Sequence, residues 1–192
     1  MQKSKKIISL SLLSWVLFNP LLAKPYEIDK AHTRVGFKVK HLSISYVTGD
    51  FKDYSAVVDF DPASHTFKKL EADIKVDSVD TNNQNRDAHL RTDDFFKESK
   101  YPVIHFAMDQ YKKINTQHGE VEGTLNIAGV AHKVKLKAEI GGVIKTEEGK
   151  EKVGFSLSGK IKRSDFKFAP QMGNAKIGDV VILNVEVEAA QK

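Results

Sequence analysis

Histidine offers the chain its most versatile chemistry, and seven are present: His32, His41, His65, His89, His105, His118 and His132. None falls in an H-x-H, H-x-x-x-H or H-E-x-x-H arrangement, so no two are spaced to share a metal ion from one strand or one helical face. Cysteine is absent, which removes thiolate ligands, thiol nucleophiles and disulfides. There is no Gly-x-Ser-x-Gly elbow, and no glycine-rich phosphate loop opens a helix. His89 and Asp87 could be drawn as a general base and its orienter. Two residues apart on a helix, however, they point in different directions. No metal and no cofactor is expected.

A second set of polar residues falls where apolar alternation breaks: Asp29 and His32, then Arg86, Asp87, His89 and Arg91, then Arg163 and Asp165. Brought to one rim, they would offer positive charge and hydrogen bonds to a polar group while an apolar portion lay deeper. Read separately, Arg163 and Asp165 are loop residues capping a strand end. The middle set belongs to Thr81–Phe96, the most crowded polar and aromatic stretch of the chain. Thr81, Asn82 and Asn83 are turn and N-cap formers, and Thr92-Asp93-Asp94 reads as a further helix start. Short helical pieces are predicted over 84–90 and 93–99, stopped by Tyr101-Pro102. Within them Asp87 and Arg91, and Arg86 and His89, are spaced to pair.

The elements that must position these residues are strands. Val35, Phe37 and Val39 alternate with Gly36, Lys38 and Lys40, and Leu70, Ala72, Ile74 and Val76 alternate with charged residues. The same period recurs over Val121–Ile127, Val134–Ile140, Val153–Ile161 and Val181–Val187, giving one wet and one dry face throughout. Turn signals at Asp61-Pro62, Gly129, Gly141-Gly142 and Gly149 keep the connections short, which means antiparallel hairpins. Tyr54–Phe60 and Val103–Met108 are apolar on both faces, and the 84–99 helices are the nearest cover for them. About eight strands in one domain fit a closed barrel, which leaves no exposed edges. Its inward residues mix large (Phe37, Phe155, Leu157) with small (Ala72, Ala138, Gly123, Gly159), so interlocked packing and an open pore are both consistent with the pattern.

Residues 1–23 have the layout of a secretory signal peptide: Lys3, Lys5 and Lys6, the apolar run Ile7–Phe18, then a cut after Ala23. The run is shorter than the ~20 residues of a membrane-spanning helix, so no stable membrane insertion is expected. Removing this leader lowers the formal net charge from +5 to +2 and leaves 169 of 192 residues. That mixed-charge surface excludes a general nucleic-acid binder.

In order along the chain, Ile28-Asp29-Lys30-Ala31-His32-Thr33, Val35–Leu42, Gly49-Asp50-Phe51, Asp77–Thr81, Arg86–Arg91, Asp94-Phe95-Phe96, Tyr101-Pro102, Gly123–Val130, Arg163–Phe166 and Asp179-Val180-Val181 resemble the YceI family of bacterial polyisoprenoid-binding proteins. The resemblance covers residues 26 to 189. It departs at Lys167, Ala128 and Ala131-His132-Lys133, which read as loop positions and leave the barrel intact. What it implies is an all-β protein over residues 24–192: an eight-stranded antiparallel lipocalin-like barrel with a short helical insertion around 84–99. Inside would lie a hydrophobic tunnel holding a long-chain amphiphile such as an isoprenoid, an isoprenoid quinone or a fatty acid or amide. It further implies a periplasmic or secreted location, a role in transport, storage or stress response, and no catalysis, and it allows a homodimer. On this basis Arg86, Asp87, His89, Arg91, His32, Arg163 and Asp165 are the expected mouth or headgroup residues. Phe37, Val39, Phe51, Leu125, Phe155, Leu157 and Ile161 are the expected tunnel lining. The rival readings are a hydrolase acting on a bound lipid headgroup through His89 and Asp87, and a filled barrel that works as an interaction protein.

Overall fold

The computed structural model describes residues 25–191; the leader expected at 1–23 lies outside them. The elements are β1 (Tyr26–Ile28), β2 (Arg34–His41), β3 (Ser45–Phe51), β4 (Tyr54–Asp61), β5 (Thr66–Lys75), β6 (Val79–Asp80), α1 (Gln84–Arg91), β7 (Val103–Lys113), β8 (His118–Ile127), β9 (Val130–Lys145), β10 (Glu151–Lys162) and β11 (Ile177–Gln191). Every pairing is antiparallel. β1 and β2 both pair with β11 and act as one wall strand broken at 29–33. β3 and β4 likewise form one strand broken at 52–53, because β3 pairs with β2 while β4 pairs with β1 and β5. The wall is therefore an eight-stranded meander that closes where this first strand meets β11.

The alternation explains which residues point inward, and bulges correct its phase, among them one each in the β4–β5 and β7–β8 pairings and one at Gly141 in β9–β10. In β4–β5, Asp59 pairs with Lys69 and Phe60 with Phe67, so Lys68 is the extra residue and both Phe67 and Leu70 turn inward. In β7–β8, Met108 pairs with Gly123 and Gln110 with Glu122, so Asp109 is extra and Tyr111 joins the core. The barrel end away from the helix is filled by these rings. Phe67 lies 5.0 Å from Phe60, 5.3 Å from Tyr111 and 4.8 Å from Phe155, and Tyr26 packs edge-on against Phe60.

At the other end stand the β2–β3 hairpin, the segment between β5 and β7, and the loop from β10 to β11. The β5–β7 segment is where the sequence expectation needs correction. Asn83 caps α1 as its position suggests, accepting from the Arg86 amide at 3.0 Å. The second helix predicted over 93–99 is absent, and those residues form turns. Thr92 closes α1 instead of opening a new helix, since its hydroxyl donates to the His89 carbonyl, and Lys97 adopts a positive φ of 56°. The resulting turn buries both Phe95 and Phe96. The insertion folds over the barrel mouth rather than along the wall, so the outer faces of β4 and β7 keep no helical cover and Val57 is 43% exposed.

Candidate functional site

Between the aromatic floor and the insertion lies a cavity of about 520 Å³, within the ~300–1,000 Å³ range of small-ligand sites. Its wall is carbon: Phe37 and Val39 from β2, Phe51 from β3, Ile104 and Phe106 from β7, Leu125 from β8, Val134 and Leu136 from β9, Leu157 and Ile161 from β10, and Val181, Leu183 and Val185 from β11. Gly49 makes room for this arrangement, because a Cβ there would stand 2.4 Å from the Phe37 ring and 2.8 Å from Thr81. A smaller void of about 60 Å³ lies toward the floor, lined by Phe155 and sharing Val35, Ala72, Ile74, Phe106, Leu157 and Val185 with the main cavity. The barrel is thus filled at one end and open at the other.

Among the described residues lining the cavity, the polar side chains are Lys40, His41, Thr81, Arg86, His89, Arg163 and Lys176, and no carboxylate joins them. All belong to the end that carries the insertion. Above the cavity, Phe96 packs 4.7 Å from Phe168 and 5.7 Å from Phe51, and Phe95 packs against His89 and Phe168. These rings, with Phe166 and Met172, form the cover.

The structure divides the expected mouth residues. Arg86, His89 and Arg163 reach the cavity; Asp87, Arg91, His32 and Asp165 do not. Asp87 is 9% exposed and its Oδ1 accepts from both the Thr81 amide and the Thr81 hydroxyl; among the described residues the predicted Asp87–Arg91 pair is not formed. Arg91 instead reaches the Asp77 carbonyl at 3.4 Å. Arg86 also turns to Thr81, with Nε 2.7 Å from the hydroxyl and a terminal nitrogen 2.8 Å from the carbonyl, so the predicted Arg86–His89 pair is not formed either. His89 Nε2 faces Asp94 at 3.4 Å, and among the described residues no hydrogen bond joins it to Asp87. The drawn acid–base dyad is therefore not assembled.

Arg163 lines the cavity while spending its guanidinium on the protein. Its terminal nitrogens donate to the carbonyls of Phe168, Ala169, Met172 and Ile177 and to Asn174 Oδ1. Asp165 lies on the outer side, 3.7 Å from His132. His32 sits in the break between β1 and β2, on the outside of the wall. There its Nδ1 is 2.9 Å from Asp29 Oδ2, and this bond, with the Ala31 amide, holds the Asp29 carboxyl below its usual range. Asp29, His32 and Glu188 bring three potential metal-ligand atoms within 4.8 Å of one another. Lys152 Nζ lies 2.6 Å from Glu188 and 3.5 Å from Asp29, so an ammonium already supplies the positive charge. Of the expected lining, Phe37, Val39, Phe51, Leu125, Leu157 and Ile161 bound the main cavity, whereas Phe155 belongs to the floor. Lys40, His41, Thr81 and Lys176 went unpredicted. Their signal is a cation or hydroxyl at the residue where a strand's alternation ends.

The model of the YceI-like domain matches residues 26–189. The chain belongs to the YceI family. Protein YceI of Escherichia coli O157:H7 is 35% identical over 167 residues, covering 86% of this chain and 87% of that one. The YceI crystal structure from Campylobacter jejuni is 60% identical, covers 87% of this chain and 98% of that one, and superposes with a TM-score of 0.77. A domain from Saccharophagus degradans described as polyisoprenoid binding shares the YceI barrel at a TM-score of 0.66, with 14% identity and coverage of 87% and 98%. At that identity the likeness concerns the fold.

Proposed function

We propose that the mature chain, residues 24–192 after loss of a leader at 1–23, is an exported, periplasmic or secreted carrier that holds one long-chain amphiphile in its barrel. An isoprenoid, an isoprenoid quinone or a fatty acid or amide fits the reading. The observation that carries it is the polarity gradient of the cavity: carbon walls over its depth and all seven polar side chains at one end. An apolar tail buried along those walls contributes affinity at about 25 cal/mol per Å². The polar end then selects the head, while ordering of the tail offsets part of the gain. The name of the Saccharophagus relative points the same way. The role is binding rather than turnover, since His89 and Asp87 act on different partners.

The test is native mass spectrometry of the mature protein purified without detergent, followed by organic extraction of what it carries. The expected result is one long-chain amphiphile per barrel. An apo mass that stays unchanged after incubation with isoprenoids and fatty acyl compounds would overturn the carrier reading.

A further inference from the structure

The outer surface beside the cavity mouth has a composition the carrier role leaves unexplained. At the tip of the β2–β3 hairpin Leu42 is 51% and Ile44 85% exposed, and Tyr46 next to them is 52% exposed. Leu42 and Ser43 hold positive φ values of 49° and 59°, so the chain accepts backbone strain to turn there. The Leu42 amide donates to the Lys176 carbonyl at 3.0 Å, which ties the tip to the loop covering the cavity. Leu42 itself lines the cavity, so one side chain borders both the interior and the solvent.

Behind the tip, register places Thr48, Lys38, Ile182 and Lys160 in one row across four strands. Lys40 opposite Tyr46, and Lys162 opposite the exposed Val180, continue the same face toward the mouth. Lys38 lies 4.3 Å from the centre of the Tyr46 ring. Among the described residues, Lys38, Lys40, Lys160, Lys162 and Lys176 have no acidic partner within 4.0 Å. The acid at the border, Asp179, is held by the amide and hydroxyl of Ser164 at 3.0 Å each.

We infer that this face docks the protein on an anionic lipid bilayer, with Leu42 and Ile44 entering the interfacial layer and the surrounding lysines meeting the headgroups. Exposed aliphatic residues flanked by cations are what an interfacial anchor requires. Long lysine side chains lie along apolar surface while their charge stays with the polar layer. A second copy of the chain is the weaker occupant, because a symmetric contact would set this lysine field against itself. The position also matters: a bilayer held here lies against the cavity rim, so a tail can leave the membrane without crossing water. That last step rests on the carrier reading; the docking itself does not.

The only tryptophan of the chain is Trp15, within the leader, so Ile44→Trp in the mature protein gives a single indole at the tip. Ile144→Trp, at another exposed aliphatic position on the opposite end, is the control. Vesicles of phosphatidylglycerol with phosphatidylethanolamine are compared with phosphatidylcholine alone, by emission wavelength and by co-sedimentation. The expected result is a blue shift of the residue-44 probe and co-sedimentation on the anionic vesicles only, lost in ~1 M salt, where screening shortens to about 3 Å. The Ile144 probe stays unshifted. The double change Lys38→Glu with Lys160→Glu, neither of which lines the cavity, weakens binding about tenfold or more and leaves the lipid content by native mass spectrometry unchanged. Absence of co-sedimentation, an equal response of the Ile144 probe, or indifference to the charge reversal each overturns the docking surface. So does a shift that grows with protein concentration without vesicles, which assigns the face to a second copy. A chain that carries lipid but does not dock loses only this inference. One that docks but never carries lipid loses only the carrier reading.

Discussion

Arg163 is 6% exposed and borders the cavity, yet its terminal nitrogens are committed to four oxygens of the loop between β10 and β11 and to the carbonyl of Ile177, the first residue of β11. Hydrogen bonds to a charged group contribute roughly 1.5–3 kcal/mol each, and breaking a buried set strands the acceptors as well. Replacement Arg163→Met is therefore expected to destabilise the protein by about 3 kcal/mol, read as a lower urea midpoint. The same loss should appear in delipidated protein. Arg163→Lys should restore only part, because an ammonium cannot reproduce the planar fork. A variant of wild-type stability with reduced ligand occupancy would instead make Arg163 a headgroup residue first and a loop fastener second. Nε is buried and, among the described residues, has no hydrogen-bond partner.

At the scale of elements, the strands were legible because burial on one face imposes a period of two that survives even the bulges at Lys68 and Asp109. The insertion was only half legible. Asn83 announced the start of α1, but Thr92-Asp93-Asp94 has the composition of a helix start and ends one instead. The deciding interaction is tertiary: Phe95 and Phe96 pack on Phe51 and Phe168, rings supplied by β3 and the β10–β11 loop. For the same reason Asp87 was assigned to Arg91 by helical spacing while Thr81, which precedes the helix, claims it. Gly49 tests how tightly this end is assembled. A methyl at that position meets Phe37, which packs 5.8 Å from Phe51, and also Thr81. Gly49→Ala is expected to cost about 1–3 kcal/mol and to lower ligand occupancy, because the ring it displaces is a wall of the cavity. Unchanged denaturation and unchanged lipid content would mean the wall yields without consequence.

For the whole molecule, the barrel's two ends perform different tasks, and the sequence could not assign them because parity identifies the inward face without saying how far down the bore each side chain stands. Phe155 illustrates this: it shares a face with Leu157 and Ile161, which line the main cavity, but its ring packs on Phe67 in the floor. That position makes it the stop against which a buried tail would end. Truncation by Phe155→Ala joins the space of the lost ring to the void of about 60 Å³ beside it, and through the six shared wall residues to the main cavity. The fold loses about 3–5 kcal/mol, the usual result of removing a buried phenyl ring. A longer tail filling the new space recovers part of that loss. The extracted amphiphiles should therefore shift toward longer chains, and the lipid-loaded variant should be destabilised less than the delipidated one. If the chain-length distribution does not move while stability falls, the aromatic floor is packing alone and the length limit lies at the mouth, with Phe95, Phe96 and Phe168.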